Sequence, residues 1–164
     1  MSLPAPARLL PRLLAALLCL AVSWIHVQDQ GGFPGDKTPH YVGIGYYLLE
    51  AAGVVCALLL LAGSRLRVSR SDAYPAEWLL AAGVALGPLL GFVLSRGPGL
   101  PEYSDDKGNW TEPLALASVA VEGVLLVMAA VALLAAVQSA KSARAVKSAQ
   151  TAAGQRLPSR STAR

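Results

Sequence analysis

Two carboxylates sit inside otherwise apolar runs. Glu50 lies within GYYLLEAAGVVCALLLLAG (45–63) and Glu122 within PLALASVAVEGVLLVMAAVALLAAV (113–137). If the two runs begin at Tyr41 and Pro113, each acid is nine residues in. At helical rise that is about 13–14 Å, close to the middle of a bilayer. An acid there costs about 2.5–3.5 kcal/mol on the lenient insertion scale, so it must face a bundle interior, find a partner or be protonated. Matched depth on two parallel segments predicts one shared polar site.

The partners such a site needs are near in sequence. Tyr46 and Tyr47 stand one turn above Glu50, and Ser118 one turn above Glu122, at the three- and four-residue spacing that puts side chains on one helix face. Arg96 is the basic residue placed to reach down to them. Proton-linked binding or transport is the chemistry that this set would support, since buried acids in membranes relay protons or hold ligands.

His26 and His40 flank the segment VQDQGGFPGDKTP, with Asp29 and Asp36 between them. They read as interfacial polar residues, as metal ligands with those acids, or as haem or quinone ligands on one membrane face. No His-x-x-x-His repeat supports a metal, and haem needs an axial ligand at greater depth. No cofactor follows from the motifs, with metal or haem binding left as the alternative.

These residues are carried by four apolar blocks, roughly 9–27, 41–62, 76–95 and 113–137. The chain has 164 residues, 54% of them hydrophobic and 15% charged. A soluble domain carries about 25% charged residues. About 20 apolar residues cross a bilayer core as a helix, and the blocks lack the alternation of barrel strands. The expectation is an all-α transmembrane four-helix bundle with short loops in a single domain (1–137), then a basic tail (138–164). The tail should be helical at first and disordered from Gln150, where Ser, Thr and Arg dominate.

Charge sets the predicted orientation. Arg8 and Arg12 precede the first block, and Arg65, Arg67 and Arg70 join the second to the third. Lys141, Arg144, Lys147, Arg156, Arg160 and Arg164 follow the fourth. The other two connections are acidic. The positive-inside rule then puts both termini in the cytoplasm of a cell-membrane protein. The net charge of +4 is explained by topology, and nucleic acid is not an expected partner. The start of the chain also has the features of a cleavable signal peptide ending near Ala21-Val22-Ser23, although apolar character continues through Trp24, Ile25 and Val27.

Four small residues, Gly83, Gly87, Gly91 and Ser95, recur every four positions in the third block. Such a ridge lets another helix approach closely, within the bundle, in a homo-oligomer or in a larger membrane complex. Trp24, Tyr41, Trp78 and Trp110 fall near block ends, as interfacial anchors do. Cys19 and Cys56, counted from their block ends, differ in depth by about 13 Å and should stay apart. Asn109-Trp110-Thr111 is a formal glycosylation sequon.

The stretch GFVLSRGPGLPEYSDDKGNWTEPLALASVAVEG (91–123) carries Ser95, Arg96, Gly99, Leu100 and Pro101, then Trp110, Pro113 and Glu122. This pattern resembles a group of small four-span membrane proteins from actinobacteria. WIHVQDQGGFPGDKTPHYVGIGYYLLEAAG (24–53) is similar to the same group's first loop and second span. The resemblance implies fold and topology. It implies no catalytic residue, because the group has no assigned activity. Phosphate-binding glycine loops, nucleophile elbows and zinc-type cysteine pairs are absent. The leading expectation is therefore an accessory or structural membrane subunit that is not an enzyme and whose surroundings are the lipid bilayer and a membrane partner.

Overall fold

The computed structural model describes residues 5–63 and 76–155. The middle-connection arginines Arg65, Arg67 and Arg70 and the terminal Arg156, Arg160 and Arg164 lie outside the described residues. Four helices carry the chain: α1 Ala5–Asp29, α2 His40–Ala62, α3 Ala76–Arg96 and α4 Pro113–Gln155. All four are long and apolar enough to cross a membrane. Leu17, Leu48, Leu58, Val127, Val131 and Leu134 are each more than 60% exposed on the outer surface of the bundle. Apolar surface on that scale belongs in lipid, and the fold is an all-α transmembrane four-helix bundle.

Helix ends follow local chemistry. α1 stops at a Schellman turn in which Gly31 takes φ +89°. There the Gly32 N–H donates to the Val27 carbonyl (2.8 Å) and the Gly31 N–H to the Gln28 carbonyl (3.1 Å). Glycine takes this left-handed conformation without a Cβ clash. Proline at the first position of α4 loses no helical hydrogen bond. α4 runs 43 residues, about 65 Å, roughly twice a hydrocarbon core. Its helix continues to Gln155, five residues past the point where composition predicts disorder. Alanine and glutamine, which make up four of residues 150–155, are strong helix formers and outweigh Thr151 and Gly154. From Lys141 to Ala152 every residue is exposed.

The helices form a ring in which neighbours run antiparallel. α1 packs most extensively on α2, and α3 on α4; α1–α4 and α2–α3 contacts close the ring. α1 and α3 touch across one diagonal, whereas α2 and α4 make no contact. The end carrying connections 30–39 and 97–112 is here the loop end, and the opposite end, with Arg12, the tail end.

The α1–α2 seam has a continuous register. From tail end to loop end, Arg12 meets Leu60, Ser23 meets Glu50, and Asp29 meets Tyr46. This register lets α2 project above the end of α1 at the loop end. It also brings the Cys19 and Cys56 thiols close to one another. Both remain free and fully buried. The expectation that they stay apart fails because depth was counted from two helix ends that are not level.

The core is built of small residues, among them Ala15, Ala16, Ala57, Ala81, Ala85 and Ala129. α1 therefore supplies part of the core as well as a span. Trp78 also belongs to the core, at 6% exposure, and is not the interfacial anchor its position implies. Trp24, Tyr41 and Trp110 are exposed. At the tail end Arg12 pairs with Glu77 at 2.8 Å and ties α1 to α3.

The closest helix approach is not on the α3 ridge. A Cβ added at Gly53 of α2 would collide with Ser23 Oγ and lie 2.9 Å from the Cys19 carbonyl. At Gly83, Gly87 and Gly91 it would meet nothing within 4 Å. Within one chain, then, the α3 glycines pack against no helix, and Gly53 is the contact glycine. Overpacking a tight contact costs about 1–3 kcal/mol. Gly53→Ala should lower the thermal unfolding midpoint in detergent by that equivalent, whereas Gly83→Ala should leave it within about 0.5 kcal/mol. Equal midpoints for the two variants would show that the α1–α2 approach is not tight.

Candidate functional site

A cavity of about 360 Å³ opens in the loop-end half of the bundle. It forms because α2 and α4 do not touch and because Gly45, Gly87 and Gly91 contribute no side chains to its wall. Leu49, Phe92 and Val119 are among its apolar lining, and Glu122, His26, Asp29, Arg96, Tyr103 and Asp106 supply its polar groups.

Glu122 is 1% exposed. Its Oε1 accepts a hydrogen bond from Ser118 Oγ at 2.5 Å, one helical turn away. His26 Nε2 stands 3.9 Å from the same oxygen. The His26 Nδ1 lies 2.9 Å from the Val22 carbonyl. A carbonyl only accepts, so Nδ1 carries the proton. In the neutral ring Nε2 then presents a lone pair beside Glu122. The Tyr46 ring packs on the imidazole at 5.4 Å between centroids.

Glu50 is elsewhere. Its Oε1 accepts from Gln30 Nε2 at 2.6 Å, and its backbone carbonyl accepts from Ser23 Oγ at 3.0 Å. Both partners belong to α1 or its terminus, and Glu50 does not line the cavity. The two carboxylates have separate partners and share no site. Equal distance along two helices specifies depth only, and the faces they present differ.

Neither tyrosine serves Glu50. The Tyr46 hydroxyl donates to Asp29 Oδ2, and Lys37 pairs with Asp29 Oδ1 at 3.5 Å. The Tyr47 hydroxyl accepts from the Gly35 N–H and donates to the Gly35 carbonyl, both at 2.9 Å. They pin the first connection down against α2. Gln30, beneath Gly35, becomes the partner of Glu50. The Gly31-Gly32 pair marks the helix end, but only the folded-back connection shows that Gln30 turns inward.

Arg96 does not descend to either acid. Its Nη2 donates to Glu112 at 2.7 Å, its Nε to the Asn109 carbonyl at 2.7 Å, and its Nη1 to Ser95 Oγ at 3.3 Å. Asp106 lies 3.6 Å from Nη1, and the guanidinium stacks 4.5 Å over Phe92. The acids of the second connection satisfy the cation locally, which costs less than moving it toward mid-membrane. Tyr103 is buried and donates to Asp106 at 2.8 Å, and Tyr41 donates to the Pro101 carbonyl at 2.6 Å. Together these contacts hold the 97–112 connection over the cavity as a roof.

The histidines do not form a pair. His26 is part of the cavity wall, and His40 is exposed at the start of α2. Among the described residues no group of three His, Cys, Asp or Glu side chains is placed to hold a metal ion. The α3 ridge divides in role: Gly87 and Gly91 line the cavity, Gly83 lies outside it, and Ser95 is bonded to Arg96.

Comparison with protein-family models, curated proteins and solved structures finds no match.

Two measurements check the roof. Removing one partner of a fully buried ion pair costs about 3–5 kcal/mol, and Glu112 and Asp106 are 31% and 21% exposed. Arg96→Leu should therefore speed amide exchange through residues 97–112 and lower stability by less than that figure. Unchanged exchange would show that the roof does not depend on Arg96. Burial and the bond to Asp106 push the Tyr103 hydroxyl above the ordinary tyrosine range. The folded state thus keeps a proton that the unfolded chain loses near pH ~10. This contribution is whole below that pH and falls away as pH rises further. Tyr103→Phe should flatten the loss of stability above about pH 10, as measured by thermal unfolding across a pH series.

Proposed function

We propose that this multi-pass membrane protein binds a small ligand in the cavity between its helices, with Glu122 and His26 as the polar end of the site. The observation that carries this reading is Glu122 itself. A carboxyl 1% exposed, with a single hydrogen-bonding partner among the described residues and an imidazole at 3.9 Å, lines an open cavity of about 360 Å³. Membrane interiors retain such groups for ligands or protons, because the same space filled with apolar side chains costs less. The binding or transport chemistry anticipated for Glu50, Glu122 and Arg96 is thus reassigned to Glu122 and His26. Glu50 serves the α1–α2 seam, and Arg96 the roof. A non-enzymatic role is part of the same proposal. The distribution of basic residues supports a cell-membrane setting with the loop end outside and both termini in the cytoplasm.

A lipophilic carbodiimide tests the site. It adds to a protonated carboxyl that it can reach from the membrane, giving a stable N-acylurea. Mass spectrometry of treated protein should find Glu122 modified and Glu50 unmodified. Gly87→Leu, whose Cβ would meet nothing within 4 Å, narrows the cavity and should slow the reaction about tenfold or more. An unreactive Glu122, or equal labelling of both acids, would refute the reading.

A second reading, an accessory or structural subunit, is favoured by the open α3 flank. Gly83 and Gly87 are exposed and have free space at Cβ, so a neighbouring helix of the same or another chain can approach there. Gly83→Leu lies off the cavity and should abolish crosslinked complexes in membranes while leaving carbodiimide labelling intact. Unaltered crosslinked species would remove the support for this role.

A further inference from the structure

We infer that the cavity's ligand is an amphipathic amine, an ammonium group on an apolar body, that enters sideways from the membrane between α2 and α3. The inference rests on the binding role just proposed and follows from where the hydrogens of the cavity wall are spent. Tyr46 donates to Asp29, Tyr103 to Asp106, Tyr41 to Pro101, and Ser118 to Glu122. Three of the five Arg96 N–H groups go to Asn109, Ser95 and Glu112, and Asp106 lies 3.6 Å from Nη1. Nδ1 of His26 donates to its own helix. What faces the free space at the polar end is acceptor capacity: the Glu122 carboxylate and the Nε2 lone pair of the neutral imidazole. A ligand that only accepts, such as a carbonyl or an anion, meets at most the one proton of Glu122 in its acid form. A ligand that donates two or three hydrogen bonds is matched, and an ammonium group is the compact group of that kind.

The surrounding charge agrees. Asp29, Asp106, Glu112 and Glu122 face two cations, Lys37 and Arg96. The Tyr46 and Phe92 rings already hold cations, Lys37 at 5.4 Å and Arg96 at 4.5 Å from their centres.

The route follows from exposure. Tyr41, Gly45 and Gly87 are the cavity-lining residues exposed at the surface, and they sit on α2 and α3. The lining residues of α1 and α4 are at most half-exposed, and the roof of Arg96, Tyr103 and Asp106 covers the loop end. Two glycines therefore form the lips of a side opening that faces lipid, where an apolar tail can remain.

The test uses full-length protein in phosphatidylcholine nanodiscs and three dansyl-labelled octyl probes: one ending in a primary amine, its N-acetyl derivative, and one ending in a carboxylate. The amine probe should bind by fluorescence about ten- to a hundredfold more tightly than the acetylated one. Glu122→Gln should remove that preference, and Gly87→Leu should weaken the amine probe about tenfold or more. If the acetylated or carboxylate probe binds as well as the amine, the ligand class is wrong and the cavity role stands. If no probe binds the native protein, both fall. If Gly87→Leu leaves amine binding unchanged, the side opening is not the route.

Discussion

The crossing of α1 and α2 at Gly53 governs the rest of the molecule. Lipid offers no competing hydrophobic drive between apolar helices, so association depends on close contact and on polar groups satisfied across the seam. With no side chain at Gly53, α2 settles onto the Cys19 carbonyl and Ser23. The one Ser23 hydroxyl hydrogen then lies between two carbonyls, with Oγ 3.2 Å from that of Cys19 and 3.0 Å from that of Glu50. From that one register come the nearness of the two thiols below, the Gln30–Glu50 bond above, and the level at which Asp29 meets Tyr46. A slip of one turn would leave the Glu50 carboxyl without Gln30 in a medium that cannot hydrate it.

A second consequence lies across the bundle. α1, held against α2 on one side, presents His26 on its other side toward α4, where Glu122 stands. α2 is kept from α4, and the space between them remains open. The cavity is thus what is left when α1 and α3 approach across one diagonal and no large side chain fills the other. Three glycines, Gly45, Gly87 and Gly91, keep it from being filled. The same α3 glycines that look like a packing ridge in one dimension are the wall of a void in three. Outside the spans, Arg96 draws Asp106, Asn109 and Glu112 around itself and shapes a short connection into a roof.

The fold was legible in the sequence and the site only in part. Span lengths follow from apolar runs because bilayer thickness imposes a length, and all four helices lie where those runs are. The ends of α1 and α3, at Asp29 and Arg96, also fall within two residues of the ends of their apolar runs. Glu122 and Ser118 share a helix, so a four-residue spacing suffices to relate them. Tyr46, Tyr47 and Arg96 were legible as polar residues of interest, yet each is bonded to a partner in a connection. Gln30, Tyr103 and Asp106 carried no signal, because residues in irregular segments acquire neighbours only when the chain folds back.

By itself the sequence determined how many helices there are, which stretches they occupy and that they face lipid, because these depend on residue type and spacing along one helix. Tertiary structure alone decided which acid lines the cavity, which glycine makes contact, which way Gln30 turns and where the hydroxyl hydrogens go. Those depend on the rotation and offset of one helix against another, and a shift of a single turn, about 5.4 Å, reassigns every partner.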